Sequence, residues 1–248
     1  MKDAIEKLLL IAGCMAFFLV FSPFALDTLK LRVPALNCRG VVLGQGSLGQ
    51  LCALRLRSDD LESRSYRREN FGQAWADTDH NGCDTRSDIL RRDFLISEDG
   101  YDVAPVPSTR AEPTTLTPSA CALPQGTIPD PYTLQDMTLD GTSSSSTIHI
   151  DHIVPLSAAW RHGAHAWSKE QRLIFANDPL NLLAVSNTAN TEKGKQEADE
   201  WLPANEGYRC EYISRQIAVK YAWDLSVSAA EKRAMLEVLS TCHGSSLR

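Results

Sequence analysis

The stretch from Ile148 to Leu156 constrains the fold of this chain more than any other. It reads Ile-His-Ile-Asp-His-Ile-Val-Pro-Leu, so apolar residues flank an adjacent pair, Asp151 and His152. The alternation at its start predicts a short strand with one buried face. Because successive side chains of a strand point to opposite sides, Asp151 and His152 should meet different neighbours. A carboxylate on one side can hold a metal ion, and an imidazole on the other can act as a base.

A second strand and a helix are predicted downstream. A turn precedes Asn181, and the short apolar run from Leu182 to Val185 follows it. The polar segment after this run contains Asn190 and is able to begin a helix. The predicted order is therefore strand, connection, strand and helix.

This order, with Asp151-His152, Asn181 and Asn190 in it, resembles the ββα-metal or HNH endonucleases. The wider sequence resembles the bacterial secreted HNH-endonuclease family, whose domain is related to one found in modification-dependent restriction enzymes. The motifs that carry the resemblance are Ile-Asp-His-Ile-Val-Pro-Leu, Ala-Trp, Phe-Ala-Asn-Asp-Pro-x-Asn-Leu, Ala-x-x-x-Lys-Gly and Trp-Leu-Pro, within roughly 66–242. It implies an α+β fold, with a ββα-metal (HNH) core embedded in a mainly helical, disulfide-stabilised domain.

Phosphodiester hydrolysis is the expected chemistry. It needs a base, positive charge at the phosphate and stabilisation of the leaving oxygen. We expect His152 to be the general base, and Asp151 and Asn190 to hold one divalent cation. The resemblance gives Asn181 the role of stabilising the loop and orienting His152. Asn190 stands where a His is usual in the motif, and this oxygen-rich donor set favours Mg²⁺ or Mn²⁺ over Zn²⁺. No small-molecule cofactor is expected.

Three cationic side chains are candidates for substrate binding. Arg86 suits bidentate contact with a phosphate. Lys193 and Lys195, after Asn190, either contact phosphates as well or belong to a solvated helix face. Nucleic acid is the expected partner, DNA ahead of RNA, although these residues do not discriminate between the two. The formal net charge of −6 argues against a polycation that coats nucleic acid, but it does not exclude a nuclease.

The block from Tyr66 to Leu90 resembles a second block of the same family. Phe71 and Trp75 are spaced to share one face of a helix. Asp84 is the predicted N-cap of a helix that runs through Leu90.

Other polar residues leave alternatives open. Asp77 and Asp79 are either turn caps and solvated charges, or residues that line the nucleic-acid cleft or bind an additional metal ion. His162 and His165 fall in the connection between the two motif strands, and we expect them to be exposed loop residues.

Two capping-box patterns predict further helices. Ser168-x-x-Gln171 should open a helix through Phe175, and Ser228-x-x-Glu231 should open the final helix. We assign the final helix to packing.

The first part of the chain predicts export. The chain has an apolar run from Leu8 to Leu26. Its length is at the boundary between that of a signal-peptide core and that of a membrane span, which needs about 20 residues. We divide the chain into a signal peptide or membrane anchor (1–27), a spacer (28–64) and an HNH endonuclease domain (65–248). The protein is expected to be secreted or extracytoplasmic, with the apolar segment either cleaved or kept as a membrane attachment.

The cysteines fit an exported protein. There are seven, and setting aside Cys14 in the apolar run leaves an even number, which favours disulfides. No Cys-x-x-Cys or zinc-type spacing is present, so a structural zinc site is not expected. Proximity and the family resemblance suggest the pairs Cys38–Cys52, Cys83–Cys121 and Cys210–Cys242.

Two other classes of function remain compatible with the sequence. In the first, the chain is a non-catalytic exported module that binds nucleic acid or a cell-surface partner on a degenerate HNH scaffold. In the second, it is another metallohydrolase that uses the Asp-His pair. Asn181 and Asn190 at their motif positions argue against the second.

Overall fold

The fold of the protein is mixed α+β, as predicted. A computed structural model describes residues 37–57, 66–96, 121–141 and 147–242, and these ranges contain seven α-helices and two antiparallel sheets of two strands each. The helices are α1 (Gly46–Ala53), α2 (Thr85–Ile96), α3 (Leu156–Arg161), α4 (Lys169–Ala176), α5 (Asn187–Lys193), α6 (Arg209–Ala222) and α7 (Ala229–Thr241). The strands are β1 (Gln125–Pro129), β2 (Asp136–Asp140), β3 (Ile148–His152) and β4 (Leu182–Ser186). Short 3-10 helices span Arg68–Phe71, Ala164–Ala166, Pro179–Asn181 and Glu206–Tyr208.

The predicted order of strand, strand and helix is present in β3, β4 and α5. β3 pairs with β4 in antiparallel register, with Asp151 opposite Leu183. α5 follows β4 directly because the Ser186 hydroxyl accepts a hydrogen bond from the Ala189 N–H and caps the helix. Gly194 follows the last residue of α5, and its positive φ of 54° suits a residue without a Cβ.

Helix α2 fastens the two strands from one side. Asp84 accepts a hydrogen bond from the Ser87 N–H at 2.8 Å, which confirms the predicted N-cap. The helix runs to Ile96, beyond the predicted end at Leu90. Its Asp93 accepts a hydrogen bond from the N–H of Ala184 on β4 at 2.7 Å. The helix therefore fixes strand positions through the backbone as well as by burying Leu90.

A larger core lies around α6 and α7. Tyr212, Ile217 and Met235 are fully buried there, and Leu51 of α1 packs into the same cluster. Part of the predicted spacer is therefore structured within the described residues. The three predicted disulfide pairs are all formed: Cys38–Cys52, Cys83–Cys121 and Cys210–Cys242.

One capping box forms in full and the other in half. Ser168 and Gln171 exchange both hydrogen bonds at the start of α4, as predicted. Ser228 caps α7 by accepting a hydrogen bond from the Glu231 N–H. The Glu231 side chain does not return the bond, because its carboxylate is buried against Lys220 instead.

The predicted helical face with Phe71 and Trp75 is wrong. The 3-10 helix ends at Phe71, and Gly72 follows with a φ of 79°, which breaks the helix. Trp75 itself has a φ of 57° and lies in a turn. This turn carries its indole to the neighbourhood of His152.

The apolar run at 8–26 lies outside the described residues. Within the described ranges, no helix is both long enough and apolar enough to cross a membrane.

Candidate active site

A cleft of about 700 Å³ lies where β3, the start of α3 and the end of α5 meet. Five of the seven predicted site residues line it: Arg86, Asp151, His152, Asn190 and Lys195. The other two, Asn181 and Lys193, are buried and do not line the cleft. The fold thus gathers most of the predicted site at one opening.

His152 is held in one tautomer at the end of β3. Its Nε2 lies 2.8 Å from the carbonyl oxygen of Ala176, and a carbonyl can only accept, so Nε2 carries the proton. Nδ1 therefore keeps a lone pair. Burial lowers the pKa of His152 to about 4, although the bond to Ala176 opposes this shift. Trp75 packs nearly parallel to the imidazole, with 6.0 Å between ring centroids.

Both carboxylate oxygens of Asp151 have a hydrogen-bond partner. The Lys193 ammonium donates to Oδ1 at 2.9 Å, and the Tyr132 hydroxyl donates to Oδ2 at 2.7 Å. Lys193 also donates to the carbonyl of His152 at 2.9 Å. Asp151 is 4% exposed, and neither partner has any exposed surface. Each carboxylate oxygen has a further lone pair, so these bonds leave room for a cation at the cleft.

Lys193 and Lys195 are two residues apart but differ in environment. Lys193 is fully buried on Asp151, so the predicted phosphate contact by Lys193 would require this ion pair to open. Lys195 is exposed and lines the cleft. Arg86 also lines the cleft, and it donates to the carbonyl of Ile148 at 3.0 Å.

Asn190 contacts His149, which is not among the predicted site residues. Its Nδ2 lies 3.1 Å from Nδ1 of His149, and both residues are half-buried in the cleft wall. Burial lowers the pKa of His149, and the nearby Arg86 guanidinium lowers it further. Among the described residues, the amide oxygen of Asn190 accepts no hydrogen bond.

Asn181 pins the turn that follows His152. Its Oδ1 accepts a hydrogen bond from the Val154 N–H at 2.8 Å, and its Nδ2 donates to the Val154 carbonyl at 3.1 Å. The Ile153 N–H donates to the backbone carbonyl of Asn181 at 2.9 Å. These bonds fix the backbone directly after His152.

The cleft is more basic than the chain as a whole. Arg68 lines it beside Arg86 and Lys195, and so does Arg161, whose charge is paired with Glu197. Among the described residues, Asp151 is the one carboxylate in its wall, and its charge is paired with Lys193. The chain has a formal net charge of −6. A local excess of cationic groups in a cleft concentrates polyanions there.

Asp77 and Asp79 shape a turn. Asp77 accepts hydrogen bonds from the N–H groups of Asn81 and Gly82, and Asp79 accepts one from Asn81. Neither aspartate lines the cleft, whereas Arg86 does. Of the two alternatives left open above, the turn-capping role matches these contacts.

The prediction that His162 is an exposed loop residue is wrong, whereas His165 is exposed. His162 is 2% exposed, and its Nε2 lies 2.7 Å from a carboxylate oxygen of Glu197. The two side chains form a group with Glu231 in which the potential metal-ligating atoms lie within 4.8 Å of one another. None of the three lines the cleft.

Two cations already neutralise this buried group. Lys220 donates to Glu231 at 2.8 Å, and Arg161 is ion-paired with Glu197. Burial raises the pKa of Glu231 to about 7 against the pull of Lys220. A metal ion at His162 would meet these fixed positive charges, so the group serves better as a structural network than as a metal centre.

His149 and Trp75 are near the candidate catalytic residues but are not among the predicted site residues. His149 was visible as a polar residue in the strand, two positions before Asp151 and therefore on the same face. Trp75 gave no usable signal, because its position depends on a left-handed turn. Both residues line the cleft.

Residues 121–238 match the family model of the GmrSD restriction endonucleases, C-terminal domain. This range contains β3, β4, α5 and every predicted site residue except Arg86. The site-bearing part of the chain is therefore related to a nuclease family.

The chain is also similar to a curated protein described as an uncharacterized secreted protein of Arthroderma benhamiae. The two are 37% identical over 182 residues, which covers 71% of this chain and 76% of that protein. The chain belongs to the same family as this protein. No solved structure matches the chain significantly.

Proposed function

We propose that this protein is an exported, metal-dependent endonuclease that hydrolyses phosphodiester bonds of nucleic acids in the cleft beside β3. The observation that carries the proposal is the state of His152. Its proton is on Nε2, its Nδ1 is unprotonated, and it lies next to Asp151 in a basic cleft. A nuclease-related domain over the same residues supports it.

We further propose that β3, β4 and α5 form a ββα-metal core of the HNH type. The arrangement puts Asp151 and His152 at the end of one strand, Asn181 before the next, and Asn190 on the following helix. These are the four positions by which the sequence resembles that class. α2 and α6 support these short strands from outside: Asp93 of α2 accepts a hydrogen bond from the N–H of Ala184, and Gln216 of α6 donates one to the carbonyl of Ile153.

The donor atoms suit a hard divalent cation. Asp151 offers carboxylate oxygens and Asn190 an amide oxygen, which are ligands that Mg²⁺ and Mn²⁺ prefer. Within the described residues, no cysteine lines the cleft, so the thiolate ligands typical of structural zinc are lacking. When bound, such a cation would stabilise negative charge on the phosphate and on the leaving oxygen.

His152 would start the reaction as general base. Its Nδ1 accepts a proton from a water molecule, and the water oxygen attacks phosphorus while the bond to the leaving oxygen breaks. The leaving oxygen takes a proton from solvent, so the products are a phosphomonoester and an alcohol. The Ala176 carbonyl would keep the imidazolium in place during the reaction by accepting a hydrogen bond from its Nε2–H.

Arg86 and Lys195 would bind phosphates of the substrate in the cleft, whose wall also contains Arg68 and Arg161. Lys193, the third predicted phosphate ligand, can hold Asp151 as an anion from its buried position. Nucleic acid is therefore the proposed partner, with DNA the first substrate to test.

Export fits the rest of the chain. Its relative is described as a secreted protein, and the three disulfides suit an oxidising compartment. We propose an extracellular location on these two grounds.

Nicking of supercoiled plasmid by the full chain, with its disulfides formed, tests the proposal. Two variants separate chemistry from structure. His152→Ala removes the imidazole, whereas His152→Gln keeps an N–H that can donate to Ala176 but provides no base. We expect both variants to lose about 10²–10⁴-fold in rate, and EDTA to abolish wild-type nicking. His165→Gln, at an exposed histidine, is the control and should cleave normally.

Each other outcome has a defined meaning. Activity that survives in His152→Gln would overturn the assignment of the base. Absence of cleavage of DNA and RNA by folded wild-type protein, across several divalent metals, would favour a non-catalytic binding module.

A further inference from the structure

The side chain of Asn190 can bind a cation only when its amide oxygen faces the cleft. An amide group has one accepting oxygen and one donating nitrogen, and the two differ by a rotation of the group. If the nitrogen faced the cation site, the helix would present a donor where a ligand is needed. Something must therefore fix the rotation of this amide.

His149 is placed to do this. Its Nδ1 lies 3.1 Å from the Asn190 nitrogen. An amide nitrogen can only donate, so Nδ1 accepts this bond and the Asn190 oxygen is turned away from the histidine. His149 and Asp151 are two residues apart on β3, so they lie on the same face of the strand, next to α5.

The surroundings of His149 favour this role. The residue is half-buried in the cleft wall near the guanidinium of Arg86. Because the amide nitrogen of Asn190 can only donate, the 3.1 Å contact itself requires Nδ1 of His149 to present a lone pair to it.

We infer that His149 is a positioning residue that orients the amide of Asn190 and so sets the affinity of the cleft for its divalent cation. The inference rests on the proposed function, because it presupposes that Asn190 is a ligand. It assigns no proton transfer to His149. Partners of this kind, behind a ligand, typically change metal affinity by about 10–100-fold when they are removed.

Three substitutions of one residue distinguish this role from others. In His149→Asn, the side-chain oxygen can occupy the place of Nδ1 and accept from Asn190. In His149→Gln, the polar atoms lie at the distance of Nε2 and miss Asn190. His149→Leu removes the acceptor altogether. Only the Asn variant should behave like the wild type.

Two measurements on the full chain give separate readouts. Mn²⁺ binding without nucleic acid, followed by electron paramagnetic resonance of free Mn²⁺, reports the cation site directly. We expect His149→Leu and His149→Gln to bind Mn²⁺ at least about tenfold more weakly, with His149→Asn close to wild type. Plasmid nicking at increasing Mg²⁺ should then recover in the weak variants, because a positioning defect raises the metal requirement without removing the base.

The outcomes distinguish failure of the role of His149 from failure of the proposed metal site. If all three variants bind Mn²⁺ as tightly as the wild type, the role of His149 is overturned. If all three bind it equally weakly, His149 is a direct ligand and positioning is overturned. If the wild type itself binds no Mn²⁺, the metal site of the proposed function fails first. Unfolding temperatures of the variants show whether a loss comes from misfolding.

Discussion

The ammonium of Lys193 lies 2.9 Å from Oδ1 of Asp151, and the two side chains are 0% and 4% exposed. The pair joins the end of α5 to the end of β3, so it ties the helix of the candidate site to the strand that carries His152. Tyr132 completes the contact from the turn between β1 and β2. The anionic group proposed as a metal ligand is therefore also part of the structural core.

Replacing Lys193 should destabilise the protein. Lys193→Met keeps the length of the side chain but leaves the Asp151 carboxylate without its cation. Loss of one partner of a buried ion pair costs about 3–5 kcal/mol, which urea unfolding in EDTA will measure. Lys195→Met, at an exposed neighbour, should change the free energy of unfolding by less than about 0.5 kcal/mol.

A double variant checks the cause of that loss. Lys193→Met combined with Asp151→Asn removes both charges, so it should be more stable than the sum of the single effects predicts. Strict additivity of the two substitutions would show that the ion pair is not what Lys193 contributes.

Asn190→Ala should raise the divalent-metal requirement of cleavage. The substitution removes a proposed oxygen ligand, and we expect the Mg²⁺ concentration for half-maximal nicking to rise at least about tenfold, since removal of even a supporting partner costs that much. Asn187→Ala, one turn earlier on α5, is the matched control. An unchanged Mg²⁺ dependence in Asn190→Ala would remove Asn190 from the metal site.

Lys195→Ala should weaken nucleic-acid binding in a salt-dependent way. Removal of an exposed lysine that contacts one phosphate lowers the affinity evenly across sequences. It also reduces the slope of log affinity against log salt by about 1. Binding of a short duplex to full-length protein, with Ca²⁺ in place of Mg²⁺, will measure this. Lys169→Ala, an exposed lysine away from the cleft, should leave the slope unchanged.

His162 should make stability depend on pH. Burial, with help from Lys220, lowers its pKa to about 4, against the opposing pull of Glu197. The nearby Arg57 also lowers it. An unfolded histidine titrates near about 6.5. Between these two values the unfolded chain binds the extra proton, so the stabilising contribution is present above about pH 6.5 and is lost as the pH falls toward 4.

A matched variant isolates this contribution. Glu231, with its pKa raised to about 7, has the opposite sign over part of the same range, so the wild-type curve alone is ambiguous. His162→Gln keeps a donor for Glu197 and removes the titration. The stability advantage of wild type over this variant should shrink by up to about 1.4 kcal/mol per pH unit below 6.5. Parallel curves of unfolding free energy against pH for the two proteins would refute the contribution of His162.

Much of the local structure was predictable because its causes are local. The Asp151-His152 strand, the strand after Asn181 and the caps at Asp84 and Ser168 depend on alternation and on hydrogen bonds within a few residues. The disulfide pairs also followed, but from proximity and family resemblance rather than from geometry.

The long-range contacts were not predictable in the same way. The sequence predicts an exposed His162, but the side chain is buried, because Glu197 and Ser226 reach its two ring nitrogens from distant parts of the chain. The sequence predicts Trp75 on a helix, but the chain turns after Phe71 and brings Trp75 to His152.

The sequence by itself determined which residue types could carry out the chemistry and in what order they appear. Only the tertiary structure decided which of them face the cleft. Lys193 and Lys195 look alike in sequence, yet one ammonium is buried against Asp151 and the other is exposed. The tautomer of His152 depends on a carbonyl 24 residues away, at Ala176. Charge and hydrogen-bond partners are set by packing across the whole chain, and packing is not encoded in any one segment.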